Sequence, residues 1–332
     1  MKRVIVTGAT GFLGKVTAQR MREAGWDVIT TGRNETAGAA LRETGFPFTS
    51  CDLARDGETF TRLVQGCDLV IHCAALSRPW GKRADFVSAN VLATGTVLAA
   101  CEATGARLIS ISSPSVTFEY HTRRSLREDA PWTMPAANHY IATKREAEKL
   151  VRNCAAVSSV ILRPKAIIGP GDTTLLPRVI RTARKGFFPT FPGSEARLDL
   201  TAVEDVAEGI RLTAEAGEAI AGNVYHLTGG DPIPTTEAFA LLFEACGLKV
   251  RDLPIRPETA LFLAGFLETA SRVFTAGKWE PPVTRYSIGS LIYEQSLDIS
   301  AARRDLGYDP KTDLRKTLIE CGKRWKKANL LS

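Results

Sequence analysis

Tyr140 and Lys144 stand four residues apart in the stretch HYIATKREAEKLV, and of the six tyrosines only Tyr140 has a lysine at that spacing. On a helix, residues four apart share one face. An ammonium group beside a phenol stabilises the phenolate and draws its pKa down from an ordinary value of about 10. Tyr140 is therefore a candidate to move a proton at neutral pH, as a general acid or base does. A hydroxyl group is the second candidate. The run RLISISS closes on Ser112 and Ser113, followed by Pro114. If it is a strand, those serines stand at the carboxyl edge of a sheet, where open α/β sheets place their ligands.

Gly8, Gly11 and Gly14, in VTGATGFLG, follow a β-branched run and open a helical segment. In that setting the pattern predicts a dinucleotide-binding turn. Its glycines allow a tight turn, close approach of backbone to a pyrophosphate, and packing of helix on strand. The helix N-terminus faces the anion. Thr10, Phe12 and Leu13 complete this set of cofactor-binding candidates. An NAD site usually carries an acid at the end of the second strand, to hold the ribose hydroxyls. Here that place reads VITTGRN, with Arg33 and no carboxylate. A guanidinium fork suits a 2′-phosphate, so NADP(H) is expected over NAD(H).

The elements that must hold these residues follow from the pattern. Short β-rich runs (RVIVTG, DVITTG, FPFTSCDL, DLVIHCAA, RLISISS, VSSVILRP) alternate with helical stretches at 12–24, 36–44, 56–66 and after Ala137. Such alternation predicts an α/β fold, a Rossmann-type doubly wound parallel sheet. We expect it over residues 1–169, with a returning segment near 198–216. Prolines at 170, 177, 189 and 192 break the rhythm, and 170–332 is expected to form a smaller, mainly helical substrate-binding region.

Composition excludes several classes. Hydrophobic residues at 44% and charged residues at 24% lie in the globular range. The net charge of +7 is dispersed, so no nucleic acid partner is expected. The seven cysteines form no CxxC pair and the four histidines have no metal-ligand spacing, which implies a reduced compartment and no metal site. MKRVIVTGA passes straight into a strand, so a cytoplasmic location without a signal peptide is expected. The longest apolar stretch, 259–274, is interrupted by Glu268 and Arg272 and is too short for a transmembrane span. It reads as an amphipathic helix that packs as core or lid, with a membrane-surface role left open.

In order along the chain, TGATGFLG, CDL, HCAA, NVLATGTVL, SSPSV, YIATK and LRPKAIIGPGD resemble the extended short-chain dehydrogenases/reductases, and most of all the 3β-hydroxysteroid dehydrogenase and 2-alkyl-3-oxoalkanoate reductase branch. The resemblance implies that Tyr140 is the acid/base and that Lys144 holds the nicotinamide ribose and lowers the tyrosine pKa. It also implies that Ser113 hydrogen-bonds the reacting carbonyl, with Ser112 and Ser115 as alternatives. Asp52 and Leu53 would border the adenine, Ala74 and Ala75 the pyrophosphate and ribose, and Pro164 to Ile167 the nicotinamide; Asn90 is a further candidate for cofactor contact. Helix-face homodimers are frequent in that family.

Thr117-Phe118 and Lys165 depart from the family pattern, near where substrate should sit. Together with 259–274, Phe187, Phe188, Phe191 and Trp279 suggest an apolar pocket for a steroid-like, terpenoid or β-keto acyl compound. The expected activity is hydride transfer between NAD(P)(H) and a secondary alcohol or ketone. One alternative is a sugar-nucleotide epimerase or dehydratase with retained cofactor, its diphosphate held by Arg178, Arg181 and Arg184. Another is a non-catalytic NADP-binding redox sensor.

Overall fold

The computed structural model describes residues 1–330. Arg3–Thr7 (β1) carries Val4, Ile5 and Val6 at 0% exposure. An unbroken β-branched run suits a parallel strand covered on both faces, and each such side chain contributes about 1.5–3 kcal/mol of burial. The other long strands are Asp27–Gly32 (β2), Phe48–Ser50 (β3), Leu69–His72 (β4), Arg107–Ile111 (β5), Ser159–Pro164 (β6) and Val224–Leu227 (β7). They form one seven-stranded sheet in the order β3, β2, β1, β4, β5, β6, β7, with every pairing parallel. This is the doubly wound α/β sheet that the alternation predicts. The chain steps outward from β1 to β3, then crosses back to β4 on the other side of β1. That reversal opens a crevice at the carboxyl ends of the strands.

Helices cover both faces. Phe12–Glu23 (α1) lies on one face. Val203–Ala216 (α4) joins it there, burying Val206, Ile210 and Ala214 in the cluster that holds Ala18 and Met21, and Arg20 ion-pairs with Glu208 at 2.6 Å. The sheet takes β7 from beyond the returning segment expected at 198–216. Arg83–Thr104 (α2) lies on the other face, with Val97, Leu98 and Cys101 buried against Val70 and Leu108. Among the described residues α2 is the one helix long and apolar enough to cross a membrane, a property the sequence reading sought instead in 259–274; 44% of its apolar window is buried. His139–Asn153 (α3) follows β5.

Pro257–Thr275 (α5) and Arg285–Ile292 (α6) pack together through Ala260, Ala264, Ile288 and Ile292. Of the core or lid packing expected of 259–274, the core part is corrected here. Small residues, Ala260, Ala264 and Ser271, form the buried face because close approach of the helices leaves no room for larger ones. Phe262, Phe266 and Phe274 are thrown outward, at 74%, 64% and 84% exposure.

Candidate active site

Gly8 has φ +67°, in the left-handed region, and a Cβ on it would lie 2.7 Å from the Ala74 nitrogen. The β1–α1 turn therefore touches the loop after β4, at the reversal of strand order. A Cβ on Gly14 would lie 2.3 Å from the Gly8 carbonyl oxygen, so the first turn of α1 rests directly on that loop. Gly11 caps α1 without a side-chain acceptor, and the first turn holds no acid. Helix geometry leaves the N–H groups of Phe12, Leu13 and Gly14 without intrahelical acceptors. Such an uncapped, positive end fits a pyrophosphate. Thr10 sets its Oγ1 against Gly32, Phe12 turns its ring to Gly169, and Leu13 packs toward the core.

Arg33 follows β2, exposed, and among the described residues its guanidinium has no carboxylate partner. Asp52 accepts the Ala54 N–H at 3.2 Å and lies 3.9 Å from the Arg55 guanidinium, while Leu53 is buried. Ala74 donates its N–H to Thr7 Oγ1 at 3.3 Å, and Ala75 is exposed at the crevice. Pro164 ends β6, Ala166 has φ +42°, and Ile167 pairs with Thr201.

Asn138 caps α3 by accepting the Ile141 N–H at 2.9 Å, which places Tyr140 in the first turn. The Tyr140 hydroxyl hydrogen-bonds Ser113 and Ser77. Ser113 Oγ lies 2.9 Å from Ser115 Oγ and accepts the Ser115 N–H at 3.2 Å. Lys144, 6% exposed, donates its Nζ to the Ile111 carbonyl at 2.8 Å. Burial is the largest influence on both titratable groups of this helix face. Burial pushes the phenol up, opposed by its bonds to Ser113 and Ser77. Burial also pushes Lys144 down to about 8, opposed by Glu148 and Cys73. The ammonium is engaged by a carbonyl, and desolvation disfavours the charged form of each group.

Ser112 is not an alternative to Ser113. Its Oγ donates to Glu148 Oε1 at 2.5 Å, and Glu148 pairs with Arg163 at 2.7 Å with both side chains almost wholly buried. Glu148 lies four residues beyond Lys144, a spacing the sequence displays; nothing local marks Arg163. Asn90 is engaged within the chain. It accepts the Leu76 N–H at 2.7 Å and donates to Thr143 Oγ1 at 3.0 Å, fixing the loop after β4 to α3. A π-helical turn, Val87–Leu92, presents it, a distortion common near functional sites.

Thr117 and Phe118, after the serine pair, are buried. Phe118 packs edge-on against Tyr120 and Tyr286, at 5.1 and 5.0 Å between ring centroids. Phe188 belongs to a core with Phe239 and Phe243. The Lys165 ammonium faces Asp199 and Glu294, and burial lowers it to about 8 against those charges. A cleft of about 390 Å³ runs from Trp80, Lys82 and Arg83 past His139 to Glu268 and Arg272 of α5. Trp80 Nε1 donates to the Gly277 carbonyl at 3.1 Å, closing its end.

Residues 4–227 match the family model of the NAD dependent epimerase/dehydratase family. The chain is 33% identical to a 2-alkyl-3-oxoalkanoate reductase of Stenotrophomonas maltophilia, over 95% of this chain and 97% of the relative. It is 28% identical to a 3beta-hydroxysteroid-dehydrogenase/decarboxylase of Arabidopsis thaliana, over 94% of this chain and 77% of the relative. Its fold is similar to that of UDP-glucuronic acid 4-epimerase from Bacillus cereus in complex with NAD, with a TM-score of 0.76 at 20% identity, over 99% of this chain and 100% of that one. The chain belongs to the NAD dependent epimerase/dehydratase family, within its branch of oxidoreductases that act on hydroxyl and keto groups.

Proposed function

We propose that this enzyme interconverts a secondary alcohol and a ketone on a largely apolar, carboxylate-bearing substrate of the 2-alkyl-3-oxoalkanoate kind, with NADP(H) rather than NAD(H). The observation that carries the reading is the Tyr140 hydroxyl, bonded to Ser113 at the carboxyl edge of the sheet with Lys144 one turn along the same helix. A bound nicotinamide supplies the hydride. Tyr140 gives its proton to the carbonyl oxygen during reduction and takes it back during oxidation. Ser113 donates a hydrogen bond to that oxygen as negative charge grows on it. Lys144 holds α3 to the end of β5, and a second proton of its ammonium goes to a ribose hydroxyl. The N–H groups after Gly11 hold the pyrophosphate, and Arg33 takes the 2′-phosphate. Asp52, Leu53, Ala74, Ala75, Pro164 and Ile167 complete the crevice.

A carboxylate is supported by the cleft beside His139, whose lining carries Lys82 together with Arg83, paired with Glu146 at 3.3 Å, and Arg272, which lies 3.9 Å from Glu268. We infer that residues beyond 169, apart from α4 and β7, form the substrate-binding region. Of the arginines expected to hold a diphosphate in the epimerase reading, Arg178 is bonded to Glu280 at 2.6 Å and Arg184 lies over Trp325, while Arg181 is exposed.

The test is nicotinamide absorbance with NADPH and with NADH, against 2-alkyl-3-oxoalkanoates, their neutral esters, 3-ketosteroids and nucleotide sugars. Net NADPH consumption with the keto acid is expected, lower by on the order of a hundredfold or more in Tyr140→Phe. Wild-type rates in that variant, or turnover of a nucleotide sugar without net redox change, would overturn the reading.

A further inference from the structure

Tyr286 enters the site from α6, and its edge-on packing against Phe118 fixes the ring. Gly289, three residues on, makes that docking possible, since a Cβ there would lie 3.1 Å from Phe118 Cζ and 2.9 Å from Tyr120 Cε1. So held, the Tyr286 hydroxyl hydrogen-bonds Ser115 and Ser290, whose own proton goes to the Tyr286 carbonyl at 2.8 Å, and stands beside Tyr140. Ser115 in turn is 2.9 Å from Ser113, which bonds Tyr140. Four hydroxyls thus run in series from the C-terminal region to the phenol.

The direction of that series follows from counting protons. A serine hydroxyl has one proton and two lone pairs. Ser113 Oγ already accepts the Ser115 N–H. If the Ser115 O–H donates to it as well, both lone pairs are filled, and the Ser113 proton is left for the reacting side. Ser115 is held to that role when its own oxygen accepts from Tyr286.

Building on the assignment of Tyr140 as the acid/base, we propose that Tyr286 is a positioning residue: its O–H donates to Ser115, Ser115 donates to Ser113, and Ser113 thereby aims its proton at the side where the Tyr140 oxygen stands. Aligned donors reinforce one another and favour the phenolate that remains when Tyr140 has released its proton. Of titratable groups, Tyr286 stands against the phenol from α6, and Lys144 and His139 share its own helix.

The test is the pH profile of kcat/KM for oxidation of a 2-alkyl-3-hydroxyalkanoate with NADP+, where Tyr140 acts as base. Tyr286→Phe keeps the ring against Phe118, so NADPH affinity should hold. Losing the hydroxyl should move the acidic limb up by about half to one pH unit. Ser115→Ala should move it similarly, and the double variant no further than the larger single shift; Ser115→Ala also carries the test if Tyr286→Phe does not fold. A substrate-free reading comes from tyrosinate absorbance with saturating NADP+, taken as the difference between each protein and its Tyr140→Phe counterpart, and should shift the same way. Profiles and titrations that superimpose on wild type, or single shifts that add in the double variant, would overturn the proposal. Full activity in Tyr140→Phe would instead overturn the acid/base assignment, while the absorbance titration would still report on the hydroxyl series.

Discussion

Lys144 Nζ donates to the carbonyl of Ile111, two residues before Ser113, at 2.8 Å. The bond ties α3 to the end of β5, so the separation of Tyr140 from Ser113 is set by a buried strut between two regular elements. Glu148, one turn further along α3, braces the same junction through Ser112 and Arg163.

Glu148→Gln should therefore be costly to the fold. It leaves the Arg163 guanidinium buried without its counter-charge. Breaking a buried pair from one side costs about 3–5 kcal/mol, and urea denaturation should show a loss of that size. It also removes the charge that most opposes the lowering of Lys144, whose pKa should fall further below about 8. A variant as stable as wild type would show that the pair contributes nothing net.

Gly14→Ala should lose NADPH binding by about tenfold or more, about 1.4 kcal/mol, because its methyl would meet the Gly8 carbonyl at 2.3 Å and displace the turn. Gly25→Ala offers the contrast. Gly25, unlike Gly14, has positive φ, and nothing lies within 4 Å of a Cβ there. That change should cost roughly 1–2 kcal/mol of stability from backbone strain and leave cofactor affinity alone. Fluorescence titration of NADPH in both variants separates the two effects.

Arg33→Ala should weaken NADPH binding about ten- to a hundredfold, since a charge-assisted bond to a phosphate is worth about 1.5–3 kcal/mol. NADH binding should stay where it was. An equal loss for both cofactors, or none for either, removes Arg33 from the choice of cofactor.

Stability should fall on acidification between pH 6.5 and 3. Burial, foremost, holds His72 and His226 near a pKa of about 3 in the fold, against about 6.5 in the unfolded chain. Between those values the unfolded chain binds more protons, so stability rises with pH across the window and is lost as pH falls through it. Urea midpoints at pH 7 and pH 5 should differ less for His226→Gln than for wild type. An unchanged difference would assign the acid sensitivity to other groups.

Much of the fold was legible because its signals are local. Gly8, Gly11 and Gly14 sit between a β-branched run and a helix, and the parallel sheet follows from the alternation of such units. The last strand, Val224–Leu227, escaped because it lies among irregular segments and joins the sheet only by pairing with β6. The outward-facing phenylalanines of α5 escaped for a related reason. A periodic apolar stripe reveals a face, but which face is covered depends on the neighbour, and here small residues took the contact.

By itself the sequence determined that a glycine turn opens the first helix of a parallel sheet, and that Tyr140 and Lys144 share a helical face with a serine pair at a strand end. These are facts of spacing within a few residues, which backbone geometry converts directly into proximity. Only the tertiary structure decided which serine meets the phenol, that Lys144 bonds Ile111, that Glu148 and Arg163 form a buried pair, and that Tyr286 arrives beside Ser115. Those contacts join residues far apart in the chain. Their partners are selected by packing and by the need of every buried polar group for a hydrogen bond, and no local pattern encodes that selection.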